Sequence, residues 1–179
     1  MGTPDAGQNI ITRGLPKTGQ TTQYQAGDDG NYEAGWWKGR LNANNRTRFI
    51  ARTIGGDDVV LDRATGLMWA ADGNAAGCNN GALITWANAI IYANGLTFAT
   101  FSDWRVPNAT ELWSIVDAGA GLPRIYQAFF PNTVSNDYWT STTTSSDILR
   151  GQIVTHASPG IHDKLKTDTC YLRCVRKGL

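Results

Sequence analysis

Glutamate and lysine are so scarce in this chain that most helical folds are excluded. Only 2 of the 179 residues are glutamate and 5 are lysine, whereas threonine and glycine number 20 each and asparagine 13. Long surface helices are rich in glutamate, lysine and alanine, while threonine, asparagine and glycine are weak helix formers. The composition therefore excludes a helix bundle or coiled coil. It favours short strands joined by many loops around a core that contains most of the seven tryptophans.

Size, charge and hydropathy exclude several classes of protein and partner. A chain of 179 residues, of which 41% are hydrophobic, can bury one sizeable core. A net charge of +1 provides no strong electrostatic basis for binding nucleic acid. No apolar run is long enough to span a bilayer, and residues 1–7 lack the basic and apolar regions of a signal peptide. We therefore expect an extended N-terminal arm over residues 1–23, one domain over residues 24–179, no nucleic-acid partner and no membrane insertion.

Two segments in the middle of the chain carry helix signals. Residues 85–94 place apolar side chains three and four positions apart, Thr85 can cap the start, and Gly95 ends the pattern. The second helix should begin after Asn108, and Glu111 three positions later completes a capping box. The buried stripe of this helix is expected to consist of Leu112, Ile115 and Val116.

Short runs of β-branched and aromatic residues predict strands on both sides of these helices. A hairpin is expected where residues 59–61 and 67–69 flank a tight turn at residues 64–66. The other predicted strands cover residues 31–37, 46–53, 138–142, 149–155 and 169–176, and a loop is predicted over residues 156–163. The order of strands, two helices and further strands indicates an α+β fold rather than an alternating α/β fold.

Several motifs, taken in order along the chain, resemble one family of bacterial and phage domains, the Lcl C-terminal-like domain. These motifs span residues 15–177 and are Leu15-Pro16-Lys17-Thr18-Gly19-Gln20-Thr21, Gly27-Asp28-Asp29-Gly30, Asp62-Arg63-Ala64-Thr65-Gly66-Leu67-Met68-Trp69, Asp103-Trp104-Arg105-Val106-Pro107, Glu111-Leu112, Phe130-Pro131, Tyr138-Trp139-Thr140-Ser141 and Leu172-Arg173-Cys174-Val175-Arg176. The resemblance implies a C-type-lectin-like fold with two helices and a small antiparallel sheet whose N- and C-terminal strands pair. The family's known uses are adhesion and ligand display, including binding of sulfated glycans, which implies a virion or cell-surface location.

A second resemblance concerns the loops near the C-terminus. Residues 132–163 resemble the diversified region of variable proteins of diversity-generating retroelements, which are often C-type-lectin-like and vary at adenine-containing codons. The resemblance implies a surface that recognises a protein or glycan receptor, on a scaffold that includes Trp139 and Gln152. Loops are rich in the same residue types, so ordinary turns explain the composition as well. The candidate contact residues are Ser135, Asn136, Asp137, Tyr138, Thr142, Thr144, Ser146, Asp147, Ile148, Arg150, His156, Ser158 and His162.

Aromatic and basic residues nearer the N-terminus form a second candidate contact surface. Trp36 and Trp37 are adjacent, so in a strand they point to opposite faces and one of them is expected to be exposed. Arg46 and Arg48 belong to an arginine-rich stretch over residues 40–52, and guanidinium groups suit sulfate and carboxylate ligands. This stretch is either a site for anionic glycans or a solvated strand face. The other five tryptophans are expected to lie in the core.

The sequence indicates no cofactor. The calcium-dependent sugar motifs of C-type lectins are missing, and the acidic turns at residues 28–29 and 57–58 can hold a structural calcium ion or be solvated. Cys170 and Cys174 would lie about 13 Å apart in one strand, too far for a disulfide. Cys78 pairs with one of them if the chain follows C-type-lectin-like folds; otherwise all three are free thiols. The cysteines and histidines offer no zinc site.

No motif indicates catalysis. The histidines, His156 and His162, lie in a predicted loop and no serine or cysteine motif accompanies them. We therefore expect a non-catalytic module that binds or displays a ligand. Two alternatives stay open, namely an adhesin domain that binds anionic glycans through arginines, and a structural virion or envelope protein without a ligand.

Overall fold

The computed structural model of the chain describes residues 15–33, 37–38, 41–42 and 47–178, with the backbone alone described at 37–38 and 41–42. In chain order, the elements are α1 (Asp29–Tyr32), β1 (Trp37–Lys38), β2 (Leu41–Asn42), β3 (Phe49–Ile54), β4 (Asp57–Asp62), β5 (Leu67–Ala70), a 3-10 segment (Ala76–Gly81), β6 (Ile84–Thr85), α2 (Trp86–Asn94), α3 (Ala109–Trp113), β7 (Asp137–Thr143), β8 (Arg150–Thr155), β9 (Gly160–Leu165), β10 (Thr169–Cys170) and β11 (Val175–Lys177).

The strands of the described residues form small antiparallel sheets. One sheet has four strands in the order β11-β5-β4-β3, and another has three in the order β7-β8-β9. Two further pairs join β1 to β2 and β6 to β10. The predicted α+β class is confirmed, and so is the hairpin around residues 64–66, which connects β4 to β5.

The middle of the four-stranded sheet is buried on both faces. Val59 and Val60 are neighbours on β4 and point to opposite faces, yet neither is exposed. Val59 packs in a first core cluster to which α2 contributes Ala89. Val60 packs in a second core cluster to which α3 contributes Leu112. The sheet therefore separates two cores, each covered by one helix.

The three-stranded sheet contributes to the same two cores. Trp139 and Ile153 belong to the first cluster, while their neighbours Tyr138 and Val154 belong to the second. The far side of β7 is paired as well, because the backbone N–H of Trp139 donates to the carbonyl oxygen of Tyr171 at 2.9 Å. Strand β7 is thus held on both edges and both faces.

Arg173 ties the C-terminal segment to both halves of the fold. Its side chain is fully buried, and one guanidinium nitrogen donates to the carbonyl oxygens of Ala70 and Ala71, each at 2.6 Å. The other terminal nitrogen donates to the hydroxyl of Thr133 at 2.7 Å. The guanidinium carbon lies 5.2 Å from the ring centroid of Phe130, a cation–π distance. One side chain therefore connects the end of β5 to the segment that precedes β7.

Both predicted helices are present, although α3 ends at Trp113, so Ile115 and Val116 of its predicted stripe follow the helix. Helix α2 begins after Thr85 and ends before Gly95. At the start of α3, the side chain of Asn108 accepts from the N–H of Glu111 at 2.8 Å, and the Glu111 carboxylate accepts from the N–H of Asn108 at 2.9 Å. This is the predicted capping box. The carboxylate also pairs with the guanidinium of Arg105 through two bonds of 2.7 Å.

Three other predicted elements are wrong in part. The strand expected over residues 31–37 is wrong at residues 31–32, which belong to α1, because the carboxylate of Asp28 accepts from the N–H of Asn31 and caps a helical turn. Residues 34–36 lie outside the described residues. The loop expected over residues 156–163 includes the start of β9, an edge strand with mostly exposed side chains and hence without apolar alternation. The strand expected over residues 169–176 is divided into β10 and β11, which pair in different sheets because the residues between them enter the core.

The described part of the predicted arm contacts the loop after α3. The N–H of Ala118 donates to the carbonyl oxygen of Thr18 at 2.9 Å. Gly19 has a φ of +89°, and a Cβ atom there would meet Oδ1 of Asp117 at 2.0 Å. Only glycine permits this backbone angle and this close approach. Residues 1–14 of the predicted arm lie outside the described residues.

The cysteines are free and buried. The N–H of Cys174 donates to the carbonyl oxygen of Gly77 at 2.9 Å, which places Cys174 beside Cys78. Burial raises the pKa of both thiols, and it raises the pKa of Cys170 to about 11. The sequence leaves open either a disulfide between Cys78 and one of the other cysteines or three free thiols. The structure has three free, protonated thiols in the core.

Replacement of the buried guanidinium tests its role in holding the fold together. We expect Arg173→Lys to lower the free energy of unfolding by about 2–4 kcal/mol, because a lysine ammonium cannot form the planar fork that reaches all three acceptors. Urea denaturation measures the change. Arg52→Lys is the matched control at an exposed position and should change the free energy by less than about 0.5 kcal/mol. An equal, small effect of both substitutions would contradict the role assigned to Arg173.

Candidate ligand surface

The three-stranded sheet divides the predicted contact residues into two groups. Asn136 and His156 lie together at one end, since the N–H of His156 donates to the carbonyl oxygen of Asn136 at 3.0 Å. The other end carries the loop between β7 and β8. Strand β8 separates the ends by five residue steps, or about 17 Å. The first group is Ser135, Asn136, Asp137 and Ser158, and the second is Thr142, Thr144, Ser146, Asp147, Ile148 and Arg150.

The loop between β7 and β8, residues 144–149, is held by its own hydrogen bonds. The N–H of Thr144 donates to the carbonyl oxygen of Arg150, and the N–H of Arg150 donates to that of Asp147, both at 3.0 Å. The carboxylate of Asp147 accepts from the N–H of Leu149 at 2.9 Å. This β7–β8 loop therefore has a defined shape before any ligand binds, which reduces the entropy lost on binding.

Two large aliphatic side chains project from the β7–β8 loop. Ile148 is 77% exposed and Leu149 is 66% exposed. Leu165, which lies across from Arg150 in the pairing of β8 with β9, is 40% exposed. The N–H of Lys166 donates to the carbonyl oxygen of Leu149 at 2.9 Å and brings the end of β9 beside the loop. We call Ile148, Leu149 and Leu165 the apolar tip.

Charged groups surround the apolar tip. Arg150 pairs with Asp163 at 2.9 Å and with Asp147 at 3.4 Å, and all three side chains are about two-fifths exposed. Exposed pairs of this kind contribute at most about 1 kcal/mol to stability, so their main effect is to orient the guanidinium. Lys166 donates to the hydroxyl of Thr143 at 2.9 Å and lies 4.0 Å from the ring centroid of Trp86. The apolar tip thus has a polar and mostly fixed rim.

The opposite end of the sheet has smaller polar groups. Asp137 forms an ion pair with Lys164 at 3.1 Å, and hydrogen bonding to this carboxylate raises the pKa of the lysine. Ser135, Asn136 and Ser158 are exposed. His162 is exposed on the edge strand β9. This end offers hydrogen-bonding groups but lacks the paired aliphatic side chains of the apolar tip.

Two predicted contact residues, Tyr138 and His156, are buried, so their assignment to an exposed surface is wrong. The Tyr138 hydroxyl accepts from the N–H of Val134 at 2.9 Å, and burial raises its pKa to about 12. The ring of His156 meets that of Tyr138 edge to face at 5.0 Å, and its Nδ1 lies 3.4 Å from the carbonyl oxygen of Arg124. Burial, together with the positive charge of Arg173, lowers the pKa of His156 to about 4.

Arg48 is also buried, so its assignment to a contact surface is wrong. Its guanidinium pairs with the carboxylate of Asp62 through bonds of 2.9 Å and 2.7 Å and donates to the carbonyl oxygen of Ser114 at 2.8 Å. A buried arginine needs such partners, because an unpaired buried charge is costly. Trp36 and Arg46 lie outside the described residues, and only the backbone of Trp37 is described.

The tryptophans follow the prediction with one exception. Trp69, Trp104 and Trp139 are fully buried, and Trp86 is half-buried. Trp113 is 39% exposed, because it follows the buried Leu112 at the end of a helix of only five residues. The expected core position of Trp113 is therefore wrong.

Leu149 and Leu165 are surface residues that the sequence interpretation missed. The sequence predicts Leu149 as the start of a strand and assigns Leu165 to no element, whereas the structure exposes both at the end of the sheet that carries the β7–β8 loop. The available signal was the pair Ile148-Leu149 directly after the polar run Ser145-Ser146-Asp147. Two adjacent bulky aliphatic residues in a hydrophilic turn are unusual unless they are covered or bind something.

The acidic turns use their carboxylates as hydrogen-bond acceptors. Bonds from backbone N–H groups, first that of Tyr24, hold the pKa of Asp28 below its usual value. Asp57 accepts from the N–H of Ala99 at 2.7 Å, and Asp58 accepts from the hydroxyl of Thr53 at 2.6 Å. Over the described ranges, no three histidine, cysteine or acidic side chains group as metal ligands would. In the same ranges, no helix has the length and hydropathy to cross a membrane.

Comparison with known proteins identifies a family. The model of a family described as the Lcl C-terminal domain matches residues 58–176, about two thirds of the chain. Apart from β3, the matched region covers the strands of both main sheets. It also contains helices α2 and α3, the β7–β8 loop and Arg173. No curated protein matches the chain in sequence.

The buried histidine should make stability depend on pH. In the unfolded chain His156 takes up a proton near pH 6.5, whereas in the folded chain it does so near pH 4. The neutral His156 therefore costs no stability above pH 6.5. As the pH falls from 6.5 towards 4, protonation of the unfolded chain lowers the free energy of unfolding by about 3 kcal/mol in total. His156→Phe should remove this part of the loss in urea denaturation at a series of pH values. His162→Phe is the matched control at the exposed edge of β9; the same response in both variants would contradict the assignment.

Proposed function

The chain belongs to the Lcl C-terminal domain family, and we propose that it is a non-catalytic ligand-binding module of the surface or attachment type. Its ligand surface is the apolar tip with the charged rim around it. The observation that carries this proposal is the exposure of Ile148 and Leu149 on a loop that its own hydrogen bonds hold in place. Membership of the family favours a surface or attachment-type module.

A protein receptor is the ligand class that best suits this surface. Aliphatic side chains contribute most where they enter a closely packed, dry contact, and such anchors at the centre of an interface carry most of its binding energy. Ser146, Arg150 and Asp163 supply the polar rim that such interfaces have. Because the β7–β8 loop is already ordered, little conformational entropy is lost when the apolar tip is covered.

The separation of surface from core supports a display role. Along β7 and β8, Tyr138, Trp139, Ile153 and Val154 are buried, whereas the β7–β8 loop is largely exposed. Substitutions in that loop therefore leave both cores intact. On this basis we propose a C-type-lectin-like scaffold, located on a virion or cell surface, whose loop residues a retroelement diversifies for attachment.

The two alternatives have less support. An adhesin for anionic glycans would depend on the arginine-rich stretch, and Arg48 is committed to Asp62 in the core. Arg52 remains exposed. A structural virion or envelope protein without a ligand would leave the apolar tip with no role.

Charge substitution in the apolar tip tests the proposed surface. The chain, made tetravalent on streptavidin, is applied to arrays of purified surface proteins and of glycans. We expect saturable binding to a protein, and we expect the double substitution Ile148→Asp with Leu149→Asp to weaken it roughly tenfold or more, because two anchors become charged.

Ile91→Asp is the matched control for this experiment, since Ile91 is a 70% exposed aliphatic residue that belongs to α2 and not to the apolar tip. It should leave binding unchanged, and equal melting temperatures for all variants would exclude unfolding as the cause. Binding that survives the double substitution would refute the assigned surface. Binding to sulfated glycans alone would favour the adhesin, and no binding on either array would favour the structural role.

The proposed diversification makes a prediction about the genome that encodes this chain. A near-copy of the coding segment for residues 132–163 should lie beside a reverse transcriptase gene and differ from it at adenines. The differences should fall on codons of exposed residues such as Ser146 and Ile148, and should spare those of the buried residues Trp139 and Ile153. Sequencing the locus measures this, and a locus without such a copy refutes diversification while leaving ligand binding by the apolar tip untouched.

A further inference from the structure

Strand β3 forms an edge of the four-stranded sheet as far as the described residues show. The opposite edge, β11, is closed by Arg105, whose N–H and carbonyl oxygen exchange two hydrogen bonds of 2.9 Å with Val175. Strand β3 pairs with β4 on one side, and no other described strand pairs with its outer side. An edge strand of six residues whose outward backbone groups have no strand partner within the described ranges is a template on which a further strand can form.

The register shows which backbone groups of β3 face outwards. The carbonyl oxygen of Arg48 accepts from the N–H of Arg63, so this pair exchanges bonds across the two strands. Hydrogen-bonded and non-hydrogen-bonded pairs alternate in antiparallel sheets. Phe49, Ala51 and Thr53 therefore direct their N–H and carbonyl groups away from β4. Their side chains lie on the face of the second core, because Ala51 is paired with the buried Val60.

A cavity of about 280 Å³ opens on that same face beside Ala51 and Thr53. Its far wall is formed by Ala128, Phe129 and Pro131, with Ala71 also lining it. The wall is fixed. The ring of Phe129 packs on that of Phe49 at 5.6 Å, and the carbonyl oxygen of Pro131 accepts from the N–H of Gly73 at 2.9 Å.

One carboxylate lines this mainly apolar cavity. Asp58 is exposed there and accepts from the Thr53 hydroxyl at 2.6 Å. An aliphatic stem would contact the alanines, Phe129 and Pro131, and an ammonium group at its end would reach the Asp58 carboxylate. Arg52 also lines the cavity, and its guanidinium donates to the carbonyl oxygen of Ala51 at 2.9 Å. That carbonyl is one of the outward groups a further strand would use, so binding must displace the guanidinium.

We propose that β3 is a second binding site, which takes an extended peptide as an added antiparallel strand and receives a lysine side chain in the cavity. The lysine residue lies directly opposite Ala51. Its N–H donates to the Ala51 carbonyl oxygen, its carbonyl accepts from the Ala51 N–H, and its side chain lies on the cavity face, as hydrogen-bonded antiparallel pairs require. Backbone pairing supplies affinity and the cavity supplies specificity, as in other cases of strand addition. The site is independent of the apolar tip, which lies on the other sheet.

A short peptide serves as the probe. The labelled full chain is titrated with acetyl-Thr-Val-Lys-Val-Thr-amide while the amide NMR signals of the chain are followed. We expect saturable shifts at Phe49, Ala51, Thr53 and Asp58, and none at the β7–β8 loop. Replacing the lysine of the peptide by norleucine, which keeps the stem but removes the ammonium, should weaken binding by about two- to fivefold.

Backbone methylation of the peptide separates strand addition from simple charge attraction. Methylating the lysine nitrogen removes the N–H that faces Ala51 and should abolish binding. Methylating the nitrogen of an adjacent valine removes an N–H that faces solvent and should leave the affinity within about twofold. In the chain, Asp58→Asn should erase the preference for lysine over norleucine, and Arg52→Ala should tighten binding because it frees the Ala51 carbonyl and removes a like charge.

Four results would overturn this assignment. Three concern the peptide, namely the absence of saturable shifts up to millimolar peptide, equal affinities for the lysine and norleucine peptides, and equal effects of the two methylations. The fourth concerns the chain without peptide. If sedimentation equilibrium shows that its mass doubles as its concentration rises, and that Ala51→Pro keeps it monomeric, then the occupant of β3 is a second copy of the chain. Every one of these results leaves the proposed function of the apolar tip unchanged.

Discussion

The buried guanidinium of Arg173 is the interaction on which the rest of the fold depends. Removing a cation from water is costly unless it is hydrogen-bonded, and here two carbonyl oxygens, a hydroxyl and an aromatic ring replace the water. The carbonyls belong to the end of β5 and its neighbour, and the hydroxyl to Thr133 before β7. The same side chain therefore joins the four-stranded sheet to the segment that leads into the three-stranded sheet. It also places the adjacent Leu172 and Cys174 in the first core.

This arrangement determines where the molecule can interact with others. The inner strands of both sheets are buried on both faces, and the positive charge of Arg173 helps to keep the nearby His156 neutral within the second core. The places left for contact are loop ends and strand edges. The β7–β8 loop presents aliphatic side chains on an ordered turn, and β3 presents backbone groups beside a cavity. Both are surfaces whose side chains can change without loss of the cores.

Local signals predicted the local structure well, while the site was predicted only in part. The capping box of Asn108 and Glu111 predicts α3, and the turn at residues 64–66 predicts its hairpin, because the interactions involved lie within a few residues. Strand β9 was missed because an exposed edge strand carries no apolar alternation. Tyr138 and His156 were assigned to the surface by residue type and position in a loop-rich region, yet each is polar only at its edge and packs in the core.

The sequence by itself determined the α+β class, the positions of two helices and a composition suited to display on loops. These follow from propensity, capping and turn chemistry, which act between near neighbours. Only the tertiary structure decided which polar residues are buried and which ones meet at the surface. Arg48 and Arg173 resemble exposed arginines in sequence, but partners 14 and 40 or more residues away take them into the core. The apolar tip likewise exists because β9 brings Leu165 to the end of the sheet that carries Ile148 and Leu149, and this placement is set by strand pairing rather than by local sequence.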